Sequence, residues 1–138
     1  MANTFTAPFV QNYRTKAAVV TAAIPVTQAT VVAGMLPLAT AGVNGAVVTK
    51  LTAIPRATVA ASALMLWLKK PADVVPYLID SELMAAYTQA VTTAVPETAF
   101  TNISDDTPIR LEAGDILYVG SEVALAAGIV FKAEWGDL

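Results

Sequence analysis

The chain has no histidine and no cysteine, and only 14% of its 138 residues are charged against 56% that are apolar. Without histidine it lacks the side chain whose ordinary pKa lies nearest neutrality, and without cysteine it lacks a thiolate nucleophile and soft metal ligand. Ser-His-Asp and Cys-His arrangements are therefore excluded, and zinc would have to be held by carboxylates alone. Aromatic residues are scarce too, at 7%. The apolar share comes mainly from Ala and Val, which suits many small, close contacts better than one large greasy patch. An average soluble domain is about 25% charged, so this chain has too few charges for an ordinary wet surface on every side. Much of that surface is expected to face other protein. No enzymatic activity, catalytic residue, cofactor or metal is expected from this composition.

Long hydrophobic runs are also missing. The longest, near Val59 to Leu68, falls well short of the roughly 20 residues a spanning helix requires, so no membrane partner is expected. Ala17 to Ala41 follow Arg14 and Lys16 and end on Ala39-Thr40-Ala41, which superficially resembles a secretory signal. Pro25, Gln28 and several Thr interrupt the stretch and the charged lead-in is too long, so export is not expected. The net charge is −3 and the pI about 4.7, with no basic cluster beyond Lys69-Lys70. Such a chain is a poor match for nucleic-acid phosphates. The absence of Cys leaves the redox compartment open.

What is present reads as strand. At 14.3 kDa the chain fits one domain, and it shows neither a repeat nor a Ser/Gly linker. Val and Thr favour the pleated surface because both branch at Cβ. In Ala63 to Leu68, Leu64, Leu66 and Leu68 share one face while Met65 and Trp67 share the other, so this strand is expected at the centre with cover on both sides. Val47 to Ala53 alternates and closes at Ile54-Pro55. Ile129 to Trp135 alternates Ile129, Phe131, Ala133 and Trp135 inward with Val130, Lys132 and Glu134 outward.

Shorter candidates are Val19 to Ile24, Thr30 to Ala33, Val74 to Ser81, Ala90 to Val95, Pro108 to Leu111 and Ile116 to Val119, separated by Pro, Gly and Asp-rich breakers. About eight strands at this spacing predict an all-β fold, a single-domain β-sandwich or jelly roll over residues 17–138. Ser81 to Gln89 is the best helical segment, one or two turns at most. Residues 1–16 differ from the rest: Phe5, Phe9 and Tyr13 recur every fourth position, with Pro8 among them and Arg14 and Lys16 behind. They predict an extended N-terminal arm, reaching either onto an adjacent subunit or back onto its own domain.

Chemical constellations are few. Asp80 and Glu82 lie on one side of a strand, and Asp105 adjoins Asp106; paired acids can serve glycoside chemistry or a hard cation, but more often form a solvated face. Asn102 to Pro108 has the composition of a turn, and its Asn102-Ile103-Ser104 matches a glycosylation acceptor too short to weigh. Gly42-Val43-Asn44-Gly45 carries the Asn-Gly hairpin signal and lacks the spacing of a phosphate loop. Trp67 belongs in the core or at a subunit interface. Trp135, followed by Gly136-Asp137-Leu138, is the better candidate for outside contact. Arg56 and Arg110 read as interfacial salt-bridge partners.

Three stretches taken together carry a resemblance: Leu64 to Leu68 leading to Leu78-Ile79-Asp80-Ser81, the segment Leu111 to Gly120, and the ending Trp135-Gly136-Asp137-Leu138. They resemble small β-rich virion proteins encoded among the head genes of tailed bacteriophages, and within that group the jelly-roll cement, or decoration, proteins of short-tailed phages. The likeness covers roughly residues 46–138, rests on pattern rather than on catalytic letters, and leaves out the arm before Lys16.

The resemblance implies a protein made in the host cytoplasm and carried on the capsid exterior. Its partners would be the major capsid protein and further copies of itself, as a dimer or trimer, with Phe5, Phe9, Tyr13, Arg14, Trp67, Trp135 and Leu138 as candidate contacts. Neck, tail or fibre-base components share the composition, as does a carbohydrate-binding sandwich on the virion. A pilus or surface-layer subunit shares the Ala/Val/Thr bias but should carry a clear signal.

Overall fold

The computed structural model describes residues 10–138, and Phe5 and Phe9 lie outside them. Nine strands follow one another: β1 (Asn12–Val20), β2 (Leu36–Thr40), β3 (Ala46–Pro55), β4 (Ser62–Lys69), β5 (Tyr77–Met84), β6 (Thr98–Ala99), β7 (Ile109–Leu111), β8 (Ile116–Ser121) and β9 (Ile129–Asp137). The protein is all-β. One sheet has the order β1-β9-β3-β6 with β7 also on β3, and the other has the order β2-β8-β4-β5.

The pairings explain this order. β1 pairs β9, β2 pairs β8, β3 pairs β6 and β7, and β4 pairs β5, all antiparallel and nested about the β4–β5 connection. The chain is thus one long hairpin. Rolling it up sets β9 beside β3 and β8 beside β4, giving the two facing sheets of a jelly roll.

Alternation puts the core between the sheets. Leu51 and Ala53 of β3, Leu64 and Leu66 of β4, Leu117 and Val119 of β8, and Ile129, Phe131 and Ala133 of β9 have almost no exposed surface. β4 behaves as its two apolar faces predict. Leu64 and Leu66 enter this core, whereas Met65 and Trp67 point through the other side of the sheet. There the connection between β1 and β2 folds over them through Ile24 and Met35, forming a second small core with Tyr118 beside it.

Several local expectations change. β1 begins at Asn12, so Asn12 to Lys16, read as the end of an arm, are paired along β9, and the Val19 to Ile24 candidate shrinks to its start plus an isolated bridge between Ala23 and Ser121. Thr30 to Ala33 and Ala90 to Val95 are connections, not strands. Ser81 to Gln89 forms no helix: β5 runs to Met84, and the Tyr87 and Val59 amides each donate to the other's carbonyl at 2.9 Å. The Asn-Gly turn is real, with Gly45 at φ 90 and its amide donating to Gly42 O at 3.1 Å. It joins β2 and β3, however, which lie in different sheets, so it is a corner between layers rather than a hairpin.

Candidate interaction surface

The residues singled out from the sequence separate into two places. Trp67 is fully buried in the second core and has no surface to offer a partner while the fold is intact. Tyr13, Arg14 and Trp135 come together, because β1 and β9 pair with Arg14 opposite Trp135. All three line an open hollow of about 420 Å³ whose walls also include Val47, Asp105 and Glu134. Leu138 ends the chain close by, its amide donating to Gly45 O at 3.1 Å.

The charges of the hollow are largely occupied within the chain. Arg14 Nε donates to Asp137 Oδ2 at 3.0 Å, Asp137 Oδ1 accepts from the Gly42 amide at 3.1 Å, and Lys132 pairs with Glu134 at 3.2 Å. Trp135 is 8% exposed, and its Nε1 is buried without an acceptor. Of the named aromatics among the described residues, Tyr13 stands out into solvent, at 88% exposure, while Trp67 and Trp135 do not.

The acidic pair is structural. Leu64 faces Glu82 and Leu66 faces Asp80, so both carboxylates turn toward the interior side of the edge strand β5. There they hold the connection after β6. Glu82 Oε2 accepts from the Thr101 amide at 3.2 Å and its hydroxyl at 3.3 Å, and Asp80 Oδ1 accepts from Asn102 Nδ2 at 3.1 Å. Asp105 and Asp106 lie in that same connection. Among the described residues no group of three or more acids is placed to hold a metal ion.

A second ionic cluster fixes the turn before β8. Asp115 is buried and accepts from Lys70 Nζ and from the Glu112 amide, each at 2.9 Å, while Glu112 Oε1 lies 3.6 Å from Lys70 Nζ. The hydrogen bond to Asp115 holds the Lys70 ammonium above its ordinary pKa against a smaller opposing effect of burial, and the negative charges of Asp115 and Glu112 add to the rise.

β5 overlaps the Val74 to Ser81 candidate, and what the sequence reading missed is its exposed apolar side chains. With Asp80 and Glu82 turned inward, Leu78 and Leu83 face outward, and Ile79 sits at the bulge between them. Tyr77, Leu78, Ile79 and Leu83 are 58%, 43%, 42% and 69% exposed, and Val74 just before the strand is 89% exposed. The covering connection reaches Met65 and Trp67 on β4 but leaves these residues bare. Four large apolar side chains on one sheet edge thus form an exposed apolar patch, a candidate interaction surface. Comparison with protein-family models, with curated proteins and with solved structures returns no match.

Proposed function

We propose that this protein works by contact, as a cement or decoration protein that binds the outside of a bacteriophage capsid, steadies the joints between major capsid protein subunits, and associates with copies of itself. The observation that carries the reading is the exposed apolar edge of β5, in a chain with only 14% charged residues. Contact stabilises by roughly 25 cal/mol for each Å² of apolar surface removed from water. A sparsely charged surface loses little by desolvation on docking.

The jelly roll suits such a role because its strand pairings are long-range. Both tryptophans are buried, so neither can serve as the stacking platform that a carbohydrate-binding reading would ask of it. The same composition fits a neck, tail or fibre-base component.

The test is immunogold electron microscopy with antibody to the purified protein, applied to phage particles from the source of the chain. Dense label over the head surface supports the reading. Label confined to the tail, or particles bearing none, overturns it.

A further inference from the structure

Among the described residues the two sheets present four edges, and two of them are blunted. β2 is five residues long, contains Pro37 and is irregular between Pro37 and Ala39. The far edge of the other sheet is divided between β6 and β7, two and three residues long. Short, irregular, proline-bearing edges refuse further strands. The remaining edges are β1, nine residues, and β5, eight residues, each with a strand neighbour on one side only. A long edge with an open side accepts another strand.

These two edges carry opposite charges at the same spacing. Arg14 and Lys16 stand two residues apart on β1, and Asp80 and Glu82 two apart on β5. We propose that β1 of one copy adds antiparallel to β5 of a second copy, with Thr15 facing Ser81; this rests on the self-association proposed above and specifies it. In that register Arg14 faces Glu82, Lys16 faces Asp80, and Tyr13, 88% exposed, faces Leu83, 69% exposed. Arg14 remains 55% exposed despite its bond to Asp137. Lys16 is exposed as well, its Nζ donating to Pro37 O at 3.2 Å.

The like-with-like alternatives fail on charge. Two β5 edges related about Ser81 would set Asp80 opposite Glu82, and two β1 edges related about Thr15 would set Arg14 opposite Lys16; like charges directly opposed are destabilising. The β-bulge at Ile79 confines the added pairing to residues 80–83, so each contact is small. Because the two faces differ, the contact is heterologous and propagates into a ring or a row instead of stopping at a pair. Weak contacts of this kind gain strength when copies stand side by side on one support.

The chain has no native cysteine, which makes the register directly testable in the whole chain. Thr15→Cys and Ser81→Cys, both exposed positions, are made separately, mixed at high concentration and oxidised mildly. A 15–81 disulfide dimer in the mixture, and a ladder of larger species from the double variant, is the expected result. Links that form equally well within either variant alone, or no link at all, overturn the proposal.

Charge reversal supplies a second readout. Arg14→Glu with Lys16→Glu, introduced beside Thr15→Cys, should abolish the link, and Asp80→Lys with Glu82→Lys beside Ser81→Cys should restore it. Circular dichroism verifies folding, and if the reversed variants do not fold the cysteine pair alone decides. A missing link with the capsid exterior still labelled by antibody defeats the edge pairing only. A link without capsid label defeats the capsid reading and leaves the edge pairing in place.

Discussion

Gly120 lies against the ring of Trp67: a Cβ at position 120 would sit 2.9 Å from Cζ3 and 3.2 Å from Cη2 of the indole. The contact is on the outer side of the β8–β4 pair, where Met65 is opposite Gly120 and the β1–β2 connection closes over both. Glycine is needed here for space, since its backbone lies outside the positive-φ region. Gly120→Ala should therefore destabilise the protein by about 1 to 3 kcal/mol, the usual cost of forcing an extra carbon into a packed site. Chemical denaturation measures it. Trp67→Phe removes the ring atoms in question, so Gly120→Ala should cost less in that background; equal costs in both backgrounds would show that the indole is not what limits the site.

How much of this was legible in the sequence depends on which side of a strand carries the information. β4 was readable because both of its faces are apolar, and each of them proves to be covered. β9 was readable because its alternation agrees with the final burial, whereas β3 agrees only at Leu51 and Ala53, since the irregularity between Val48 and Lys50 puts Val48 rather than Val47 in the core. β2 was hidden by Pro37, which reads as a breaker yet is tolerated at the edge of a sheet.

β5 inverts the usual pattern. A reader places Leu and Ile inward and acids outward, but the register with β4 sets Asp80 and Glu82 beside Leu66 and Leu64, and partners more than a dozen residues away, Thr101 and Asn102, make that acceptable. The exposed stripe on β5 follows from those distant partners, so no local pattern reveals it. Trp67 errs in the opposite sense. Its covering residues, Ile24 and Met35, come from a connection whose path the sequence does not specify.

Asp137 is the junction of three segments, and its two oxygens should differ in what their loss costs. Oδ1 satisfies the amide of Gly42, and Oδ2 receives Arg14, while the Asp137 side chain is 13% exposed and that of Arg14 is 55% exposed. Asp137→Ala leaves a partly buried N–H without its acceptor and should cost about 1 to 3 kcal/mol. Arg14→Ala removes a solvent-screened ion pair and should cost less than about 1 kcal/mol. Paired denaturation curves check the order; an equal or larger loss for Arg14→Ala would mean that the ion pair, not the amide, secures the corner.

The Lys70 cluster gives a signed pH dependence. The folded-state pKa of Lys70 is raised above 10.5, so the folded state holds the ammonium proton more tightly than the unfolded chain does. The stabilisation is complete below the unfolded value and is lost as pH rises through the folded one. Thermal melts at increasing alkaline pH should show a fall in Tm above 10.5 that is shallower in Lys70→Met, which has no ammonium to lose. Lys70→Met should also melt lower than the parent at neutral pH. Identical alkaline slopes would show that Lys70 is not the source of the fall.

Leu83 and Leu66 occupy neighbouring strands with opposite consequences. Leu66 is fully buried in the inter-sheet core, and Leu83 is 69% exposed on the edge. Leu66→Ala should cost about 2 to 5 kcal/mol because it opens a cavity that the sheets cannot collapse to fill. Leu78→Lys with Leu83→Lys should leave stability within about 1 kcal/mol of the parent, as exposed substitutions do. That double variant should nevertheless elute earlier from a hydrophobic-interaction column and lose self-association in sedimentation velocity, because it places two charges on the surface proposed above to be covered. Unchanged retention together with unchanged sedimentation would show that the apolar edge of β5 takes no part in contact.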